Sequence, residues 1–386
     1  MLPFANNQDV RKIETDHPWP KAAPAQSIYE LLTDVAARHP ARPAVTFQLF
    51  SDPDAKAETL DWQSLRAEVT QLANLFARLG IGPEDAVAFV LPNSTETVLT
   101  LLAGMVAGVV VPINPLLEPD QIASILRETK ARLVVTLAPF PKTDLAQKTA
   151  AAVAMAPEVE TVLEVDLLRY LTGIKRVIVP LLRPKVKVTH QARVLSLRAE
   201  MAGEAADRLR HPDQGRDRIA ACFHTGGTTG MPKVAQHSYS GMIYNGWVGH
   251  SLLFTETDTV LCPLPLFHVF ASHVILMGGL CSGAHTVFPT PQGYRGAGVF
   301  DNFWKLVERW QVTFLITVPT ALAVLMQRPV DADISSVKTA FSGSAPLPLE
   351  LFRRFEGATG VSLVEGYGLT EATCLVSCNP VEGEKK

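Results

Sequence analysis

A loop rich in glycine and threonine follows an apolar run, in the sequence Phe223-His-Thr-Gly-Gly-Thr-Thr-Gly-Met-Pro-Lys233. Glycines let backbone N–H groups turn toward an anion, and the threonine hydroxyls add further donors. Lys233 adds a positive point charge. The loop is not a Walker-type phosphate loop, because two residues separate Gly230 from Lys233. These features predict a polyphosphate-binding loop, and an ordinary flexible turn is the alternative.

Strand-like and helix-like segments alternate on both sides of this loop, which predicts an α/β fold with mostly parallel sheets and covering helices. Apolar residues recur at helical spacing over 27–39 and 62–79. A buried helix over 94–107 is predicted between strands at 85–91 and 109–113. A polar stretch at 202–215 divides the chain into two sublobes, approximately 60–212 and 213–386.

The overall composition narrows the class of protein. The 386 residues are 47% hydrophobic and 19% charged with a net charge of −3, which describes a globular chain and gives no reason to expect nucleic acid binding. Five cysteines in so long a chain indicate a reducing compartment. No signal peptide or membrane span is predicted, and we expect a cytoplasmic location. Cys374 and Cys378 are four residues apart, which favours two core cysteines on one helix face over a metal site.

A basic and apolar segment covers residues 167–199, which include eight lysines and arginines and no acidic residue. Such a segment can rest on an anionic membrane surface, peripherally and weakly. It can also be a solvated loop and helix between two lobes. We favour the second interpretation, because Pro180 and Pro184 interrupt any long amphipathic helix.

Further motifs follow in a fixed order: Leu264-Pro-Leu-Phe-His268, Phe341-Ser-Gly-Ser-Ala-Pro-Leu347 and Glu365-Gly-Tyr-Gly-Leu-Thr-Glu371. Together with the stretch Thr225–Lys233, they resemble the signatures of the adenylate-forming (AMP-binding) superfamily, in particular fatty-acid-type acyl-CoA synthetases. The resemblance covers nearly all the chain. It departs from the usual pattern at Gly226, where serine is common, and at Val234, where glycine is common.

The resemblance implies the large N-terminal domain of that superfamily, with two α/β sublobes. It also implies the roles of individual residues. Lys233, His268, Thr370 and Glu371 are implied as catalytic, with Glu371 holding Mg²⁺. Nucleotide and phosphate contacts are implied for Thr225, Gly226, Gly227, Thr228, Thr229, Gly230, Gly343, Ser344, Ala345, Pro346, Gly366, Tyr367 and Gly368.

Several of these residues have structural alternatives when they are considered without the resemblance. Tyr367 can present a flat face to a purine or be a core tyrosine at a strand end. Glu371 can be a favourable charge at a helix N-terminus, and Thr370 can cap that helix. His268 lies in an apolar stretch, where a lone histidine is more often a core residue.

The uncharged stretch 268–281 predicts the acyl pocket, with walls at Val269 and Phe270 and with Gly278 and Gly279 leaving room. An apolar wall without an aspartate suggests a fatty or alicyclic acid, not an amino acid. The resemblance implies ATP, Mg²⁺ and coenzyme A as cofactor or substrates, and an AMP-forming acid–CoA ligase as the activity.

Because family members are usually longer, we expect that the chain is a fragment that lacks the small C-terminal domain. An adenylation domain that feeds a carrier protein and a nucleotide-binding fragment without full catalysis remain alternatives. A homodimer is compatible with the sequence.

Overall fold

The computed structural model describes residues 4–213, 217–225 and 232–381. Within them the strands are β1 Pro43–Gln48, β2 Ala57–Asp61, β3 Ala86–Val90, β4 Val109–Pro112, β5 Leu133–Leu137, β6 Thr161–Val165, β7 Arg193–Ser196, β8 Ile219–His224, β9 Val234–Ser238, β10 Thr259–Leu261, β11 His285–Phe288, β12 Phe314–Thr317, β13 Thr339–Ser342, β14 Ser362–Gly368 and β15 Leu375–Cys378.

The helices are α1 Asn7–Asp16, α2 Trp19–Ala22, α3 Ile28–Arg38, α4 Trp62–Arg78, α5 Thr95–Ala107, α6 Pro119–Glu128, α7 Leu145–Ala154, α8 Gly173–Ile178, α9 Leu197–Met201, α10 Tyr239–Leu252, α11 Gly278–Ser282, α12 Val299–Trp310, α13 Pro319–Leu325 and α14 Leu349–Thr359. A π-helix spans Phe270–Met277, and short 3₁₀ turns lie at Leu167–Tyr170, Val179–Leu182, Gly293–Arg295 and Thr370–Ala372.

One compact unit contains a seven-stranded sheet in the order β7-β6-β5-β3-β4-β8-β9. Its strands pair in parallel, except that β8 and β9 are antiparallel. Every residue of β3 and β5 is buried, as expected for central strands of a parallel sheet with continuous apolar runs. Helix α5 starts at the predicted place because the Ser94 hydroxyl accepts from the N–H of Thr97. The predicted buried helix is therefore confirmed.

The other unit contains an eight-stranded sheet in the order β15-β14-β13-β12-β10-β11-β1-β2. Six strands pair in parallel, and the two edge strands β2 and β15 pair antiparallel to their neighbours. Both units are thus α/β with mostly parallel sheets, which confirms the predicted fold class. The parallel pairing of β12, β13 and β14 aligns the carboxyl ends of these strands at one sheet edge, where binding sites form in such sheets.

The two units divide the chain differently from the predicted sublobes 60–212 and 213–386. One unit comprises Ser27–Tyr29 and the described part of Ser64–Tyr239, and the other comprises the remaining described residues. The physical reason is strand pairing. Strands β8 and β9 complete the seven-stranded sheet, so the boundary falls after residue 239, while β1 and β2 join the eight-stranded sheet.

Two local predictions are wrong. The segment 167–199 is not a connection between lobes, because its last part forms β7, which pairs with β6 inside the seven-stranded sheet. Cys374 and Cys378 do not share a helix face. Cys374 follows a 3₁₀ turn and Cys378 ends β15, although Cys374 is buried as expected. No helix in the described ranges is long and apolar enough to cross a membrane.

Candidate functional site

Two predicted nucleotide segments lie at the aligned carboxyl ends of adjacent parallel strands. Strand β13 ends at Ser342, which is in register with Glu365 of β14. The loop that follows β13 is held to β14, because the N–H of Leu347 donates to Glu365 Oε1 at 2.8 Å. The two segments, predicted separately from the sequence, therefore form one surface.

The loop after β13 contains an unusual backbone conformation and a close packing contact, at Ser344 and Gly343. Ser344 has a φ of 71°, a left-handed conformation that is uncommon for a residue other than glycine. Its neighbour Gly343 lies close to an aromatic ring, and a Cβ there would be 2.9 Å from Phe270 Cζ. A side chain at position 343 would therefore push against a buried ring of the π-helix.

The glycines beside Tyr367 allow close packing of the sheet. A Cβ at Gly366 would overlap the ring of Phe341, and one at Gly368 would collide with the carbonyl of Cys374. Tyr367 itself is 62% exposed. The alternative in which Tyr367 is a core tyrosine is therefore wrong, and its ring is accessible to a ligand.

His268 stands at the entry to the π-helix Phe270–Met277. The N–H of Phe270 donates to His268 Nδ1 at 3.3 Å, which leaves the Nε2 position to carry the proton of the neutral ring. The side chain is exposed, yet nearby protein atoms displace part of its water and lower the pKa of its imidazole. The alternative in which His268 is a core histidine is therefore wrong. A π-helix of this length is rare, and such segments are frequent at functional sites.

Two cavities open at this edge of the eight-stranded sheet and share Ser344, Gly366 and Gly368. The smaller has a volume of about 120 Å³ and is lined by His268, Val269, Phe270, Val274, Phe341, Gly343, Ser344, Gly366, Gly368, Leu369, Thr370, Cys374 and Leu375. The larger has a volume of about 560 Å³ and is lined by Ser344, Ala345, Pro346, Glu365, Gly366, Tyr367, Gly368, Ser377, Cys378 and Asn379. The larger volume lies within the range of about 300–1,000 Å³ that is usual for small-molecule sites.

Thr370 and Glu371 open a 3₁₀ turn of three residues whose N-cap is Leu369. The alternative in which Thr370 caps the helix is therefore wrong, because the capping position belongs to the preceding residue. Thr370 is half-buried and lines the smaller cavity, whereas Glu371 is exposed beside it. The carboxylate of Glu371 is exposed to solvent, and the 3₁₀ turn that contains it is only three residues long.

The four residues of the predicted acyl pocket separate into two groups. Val269 and Phe270 are buried and line the smaller cavity. Gly278 packs against Phe254, since a Cβ at Gly278 would be 2.5 Å from Phe254 Cζ, and Gly279 has ordinary contacts with neighbouring atoms. Gly278 therefore makes room for Phe254, whereas Gly279 does not need to be glycine for packing, and the part of either residue in an acyl pocket stays a prediction.

The ends of the glycine-rich loop belong to the unit with the seven-stranded sheet. Strands β8 and β9 flank the loop as an antiparallel pair, and the N–H of Thr225 donates to the carbonyl of Lys233 at 2.8 Å. Thr225 is half-buried and Lys233 is exposed. Gly226, Gly227, Thr228, Thr229 and Gly230 lie outside the described residues, so their phosphate contacts stay predictions.

The sequence reasoning missed the residues that strand β15 brings to the larger cavity. Ser377, Cys378 and Asn379 line it, because β15 folds back antiparallel along β14. Asn245 supports the same strand by accepting from the N–H of Leu375 at 2.7 Å. The short apolar run Leu375-Val376 is the signal in the sequence that could have indicated this strand.

Known proteins resemble this chain in sequence. Residues 32–386 match the family described as AMP-binding enzyme. The marinolic acid–CoA ligase of a Pseudoalteromonas species is 30% identical over 393 residues, covering 99% of this chain and 56% of that protein. The long-chain-fatty-acid–CoA ligase of Bacillus subtilis is 29% identical over 384 residues, covering 96% of this chain and 64% of that protein.

A solved structure has the same fold. The crystal structure of the anthranilate CoA ligase AuaEII in complex with anthranoyl-AMP superposes with a TM-score of 0.77 at 21% identity, covering 96% of this chain and 64% of that one. The family match over residues 32–386 shows that the chain belongs to the AMP-binding enzyme family. It spans 56% and 64% of the lengths of the two relatives above.

Proposed function

We propose that this chain activates a carboxylic acid with ATP and that the resulting acyl-adenylate is converted to a coenzyme A thioester. One observation carries the proposal. Three segments that resemble family signatures meet at one sheet edge, where His268, Ser344 and Thr370 line a single small cavity beside a larger one. This arrangement offers a place for a carboxylate next to a place for a nucleotide.

The proposed chemistry has two steps. A carboxylate oxygen attacks the α-phosphorus of ATP, the bond from that phosphorus to the bridging oxygen breaks, and pyrophosphate leaves. The thiol sulfur of coenzyme A then attacks the acyl carbon, the thiol proton is released, and AMP leaves. Both steps depend on holding charged groups in line, so positioning and charge stabilisation are the main tasks of the protein.

The larger cavity would hold the nucleoside. The exposed ring of Tyr367 can stack on a purine, and the loop from Gly343 to Pro346 can run along its edge. Thr370 would donate its hydroxyl to the α-phosphate. By resemblance, Lys233 and the loop 225–230 would contact the β- and γ-phosphates.

Glu371 can bind Mg²⁺ only together with ligands from the substrate. In the described part of the chain no group of three or more histidine, cysteine, aspartate or glutamate side chains is arranged to hold a metal ion. Mg²⁺ in such enzymes is commonly bound by one or two carboxylates together with substrate phosphates, and the exposed Glu371 suits that arrangement. The bound ion would supply positive charge to the phosphate oxygens.

The smaller cavity would hold the carboxylate end of the acid. The Nε2–H of neutral His268 can donate to a carboxylate oxygen, while Val269, Phe270 and Phe341 offer apolar contacts. We propose a fatty or alicyclic acid because this wall carries no charged side chain. The name of the Bacillus subtilis relative, which specifies long-chain fatty acids, supports this class.

The test is carboxylate-dependent exchange of pyrophosphate into ATP, measured with acetate, octanoate, palmitate, benzoate and cyclohexanecarboxylate. We expect exchange with octanoate, palmitate or cyclohexanecarboxylate, and a loss of at least about tenfold in Glu371→Gln. Glu350→Gln is the matched control, since Glu350 is an exposed glutamate outside both cavities. Exchange unchanged in Glu371→Gln would refute its role, and no exchange with any acid despite ATP binding would refute the activity of this chain. Thioester formation with free coenzyme A, compared with a pantetheine-bearing carrier protein, then identifies the acceptor.

A further inference from the structure

The connection between β6 and β7 is unusually exposed. No residue from 172 to 189 is buried, and we call these residues the basic connection. Its two ends are anchored. Leu167, Tyr170 and Leu171 are buried before it, and after it Gln191 Nε2 donates to the carbonyls of Ala156 and Val159 at 3.0 Å each. The exposure is therefore a property of a loop fixed at both ends and not of a fraying terminus.

Apolar side chains on this connection form a stripe. Ile174, Val177, Ile178 and Leu181 recur at the spacing of one helix face over α8 and the 3₁₀ turn that follows it. Their exposed fractions are 73%, 69%, 41% and 82%, and the adjacent Leu182 is 61% exposed. Soluble chains normally turn such a stripe toward the core, and a short helix without packing is marginal in water. The stripe thus has the character of a binding surface.

The charged residues of the basic connection itself are all lysines and arginines. Arg176, Lys185 and Lys187 are exposed, and no acidic residue occurs from 167 to 199. Arg183 differs from them because it pairs with Asp166 at 2.7 Å and so ties the connection to the end of β6. The exposed basic residues thus alternate along the chain with the apolar residues of the stripe or follow them closely.

We propose that the basic connection docks on the surface of an anionic lipid bilayer. Exposed apolar side chains would enter the headgroup boundary, and the lysines and arginines would contact anionic headgroups. Pro180 and Pro184 limit the helix to this short length, which suits a segment that lies in the interface and excludes a span. The structure favours this interpretation over the solvated loop preferred from sequence, because the sequence did not reveal that the apolar stripe faces solvent. The proposal is independent of the adenylation chemistry.

The experiment is co-sedimentation of the 386-residue chain with vesicles of phosphatidylcholine containing 30% phosphatidylglycerol, compared with phosphatidylcholine alone, at low salt. We expect binding to the anionic vesicles that weakens as salt rises. Arg176→Gln/Lys185→Gln/Lys187→Gln should lower the partition coefficient on the order of 100-fold, because each basic residue near an anionic surface contributes about fivefold. The matched control is Arg11→Gln/Lys12→Gln/Lys21→Gln, which removes three exposed charges elsewhere and should change binding far less.

A second pair of variants tests the apolar stripe. Ile174→Ser/Leu181→Ser should lower the partition coefficient at least about tenfold. Leu116→Ser/Leu349→Ser is the matched control, since these residues are 54% and 60% exposed outside the connection. Absence of vesicle binding by the parent chain would overturn the proposal, as would binding that neither test variant weakens. If the parent chain does not bind vesicles but forms a dimer, and Ile174→Ser/Leu181→Ser dissociates that dimer, then the stripe binds a second copy of the chain instead.

Discussion

Replacing Gly366 by alanine tests whether the packing behind the two cavities is as tight as the structure indicates. Gly366 lies in β14 and is shared by both cavity linings. A Cβ there would overlap Phe341 Cζ and would approach Phe341 Cε1 to 2.8 Å and Leu375 Cδ1 to 3.2 Å. Carbon atoms in contact normally lie about 3.5–4.0 Å apart. The ring of Phe341 must therefore move, or β14 must shift away from it.

Neighbouring rings confine Phe341 on the sides that do not face the smaller cavity. Its side chain is fully buried, and its ring lies 5.8 Å from that of Phe270 and 6.4 Å from that of Phe314, centroid to centroid. Inserting a methyl group into such a core costs about 1–3 kcal/mol. Alanine recovers about 0.4–1 kcal/mol by restricting the unfolded chain, since Gly366 is not among the residues with positive φ. With middle values of about 2 kcal/mol for the cost and about 0.7 kcal/mol for the gain, we expect a net loss of about 1.3 kcal/mol in the free energy of unfolding.

The assay is urea unfolding. An unchanged slope of the transition would show that the variant changes stability and not the compactness of the unfolded state. Gly357→Ala is the matched control, because nothing lies within 4 Å of a Cβ there and the residue is inside α14. It should be neutral or stabilising by up to about 1 kcal/mol. Gly366→Ala/Phe341→Leu should be more stable than the sum of the single variants predicts, because leucine frees the space that the new methyl needs. Strict additivity, or Gly366→Ala as stable as the parent, would refute the packing argument.

Three further predictions follow from other parts of the structure. Glu96→Gln should lower the free energy of unfolding by about 3 kcal/mol, at the low end for a broken buried ion pair, because it removes the fully buried carboxylate that the partly buried Arg169 and Arg198 share, while Arg198 still pairs with Glu68. Burial raises the pKa of Glu96, but Arg198 and Arg169 lower it by more, so the net pKa is below the usual value. The stabilisation is therefore present above the unfolded pKa of about 4.3 and is lost as the pH falls through the lower folded pKa. The urea midpoint of Glu96→Gln should lack this dependence on acid pH. Arg218→Ala should lower the free energy of unfolding by about 2–4 kcal/mol, because the guanidinium donates to several backbone carbonyls. Arg218→Lys should restore less than half of that free energy, because an ammonium lacks the forked geometry of the guanidinium, and full restoration would contradict this argument. His268→Ala should raise the KM for the acid about tenfold with little change in the KM for ATP. An equal rise in both KM values would contradict a contact between His268 and the carboxylate. Because the pKa of His268 is lowered, its ring is neutral above pH 7, and titration of this residue should not change the parent's KM for the acid between pH 7 and 9.

The sequence alone determined what depends on local periodicity and on special residue types. It predicted α5, the buried strands around it and the α/β class, because continuous or periodic apolar runs reflect the geometry of single elements. It also singled out the segments around His268, Gly343 and Tyr367, because these segments resemble the motifs of the adenylate-forming superfamily. The structure brought these segments together at one sheet edge.

Only the tertiary structure decided which distant segments pair and which side chains stay in solvent. Strand β1 pairs with β11, with Val45 in register with Thr286, and no local pattern encodes a partner so far along the chain. The same limitation misplaced the boundary between the units and hid β15, whose residues complete the larger cavity. The stripe from Ile174 to Leu181 has an ordinary amphipathic spacing, but spacing does not say whether another element covers it. Local sequence encodes the preferences of single elements, whereas pairing and exposure depend on how all the elements pack.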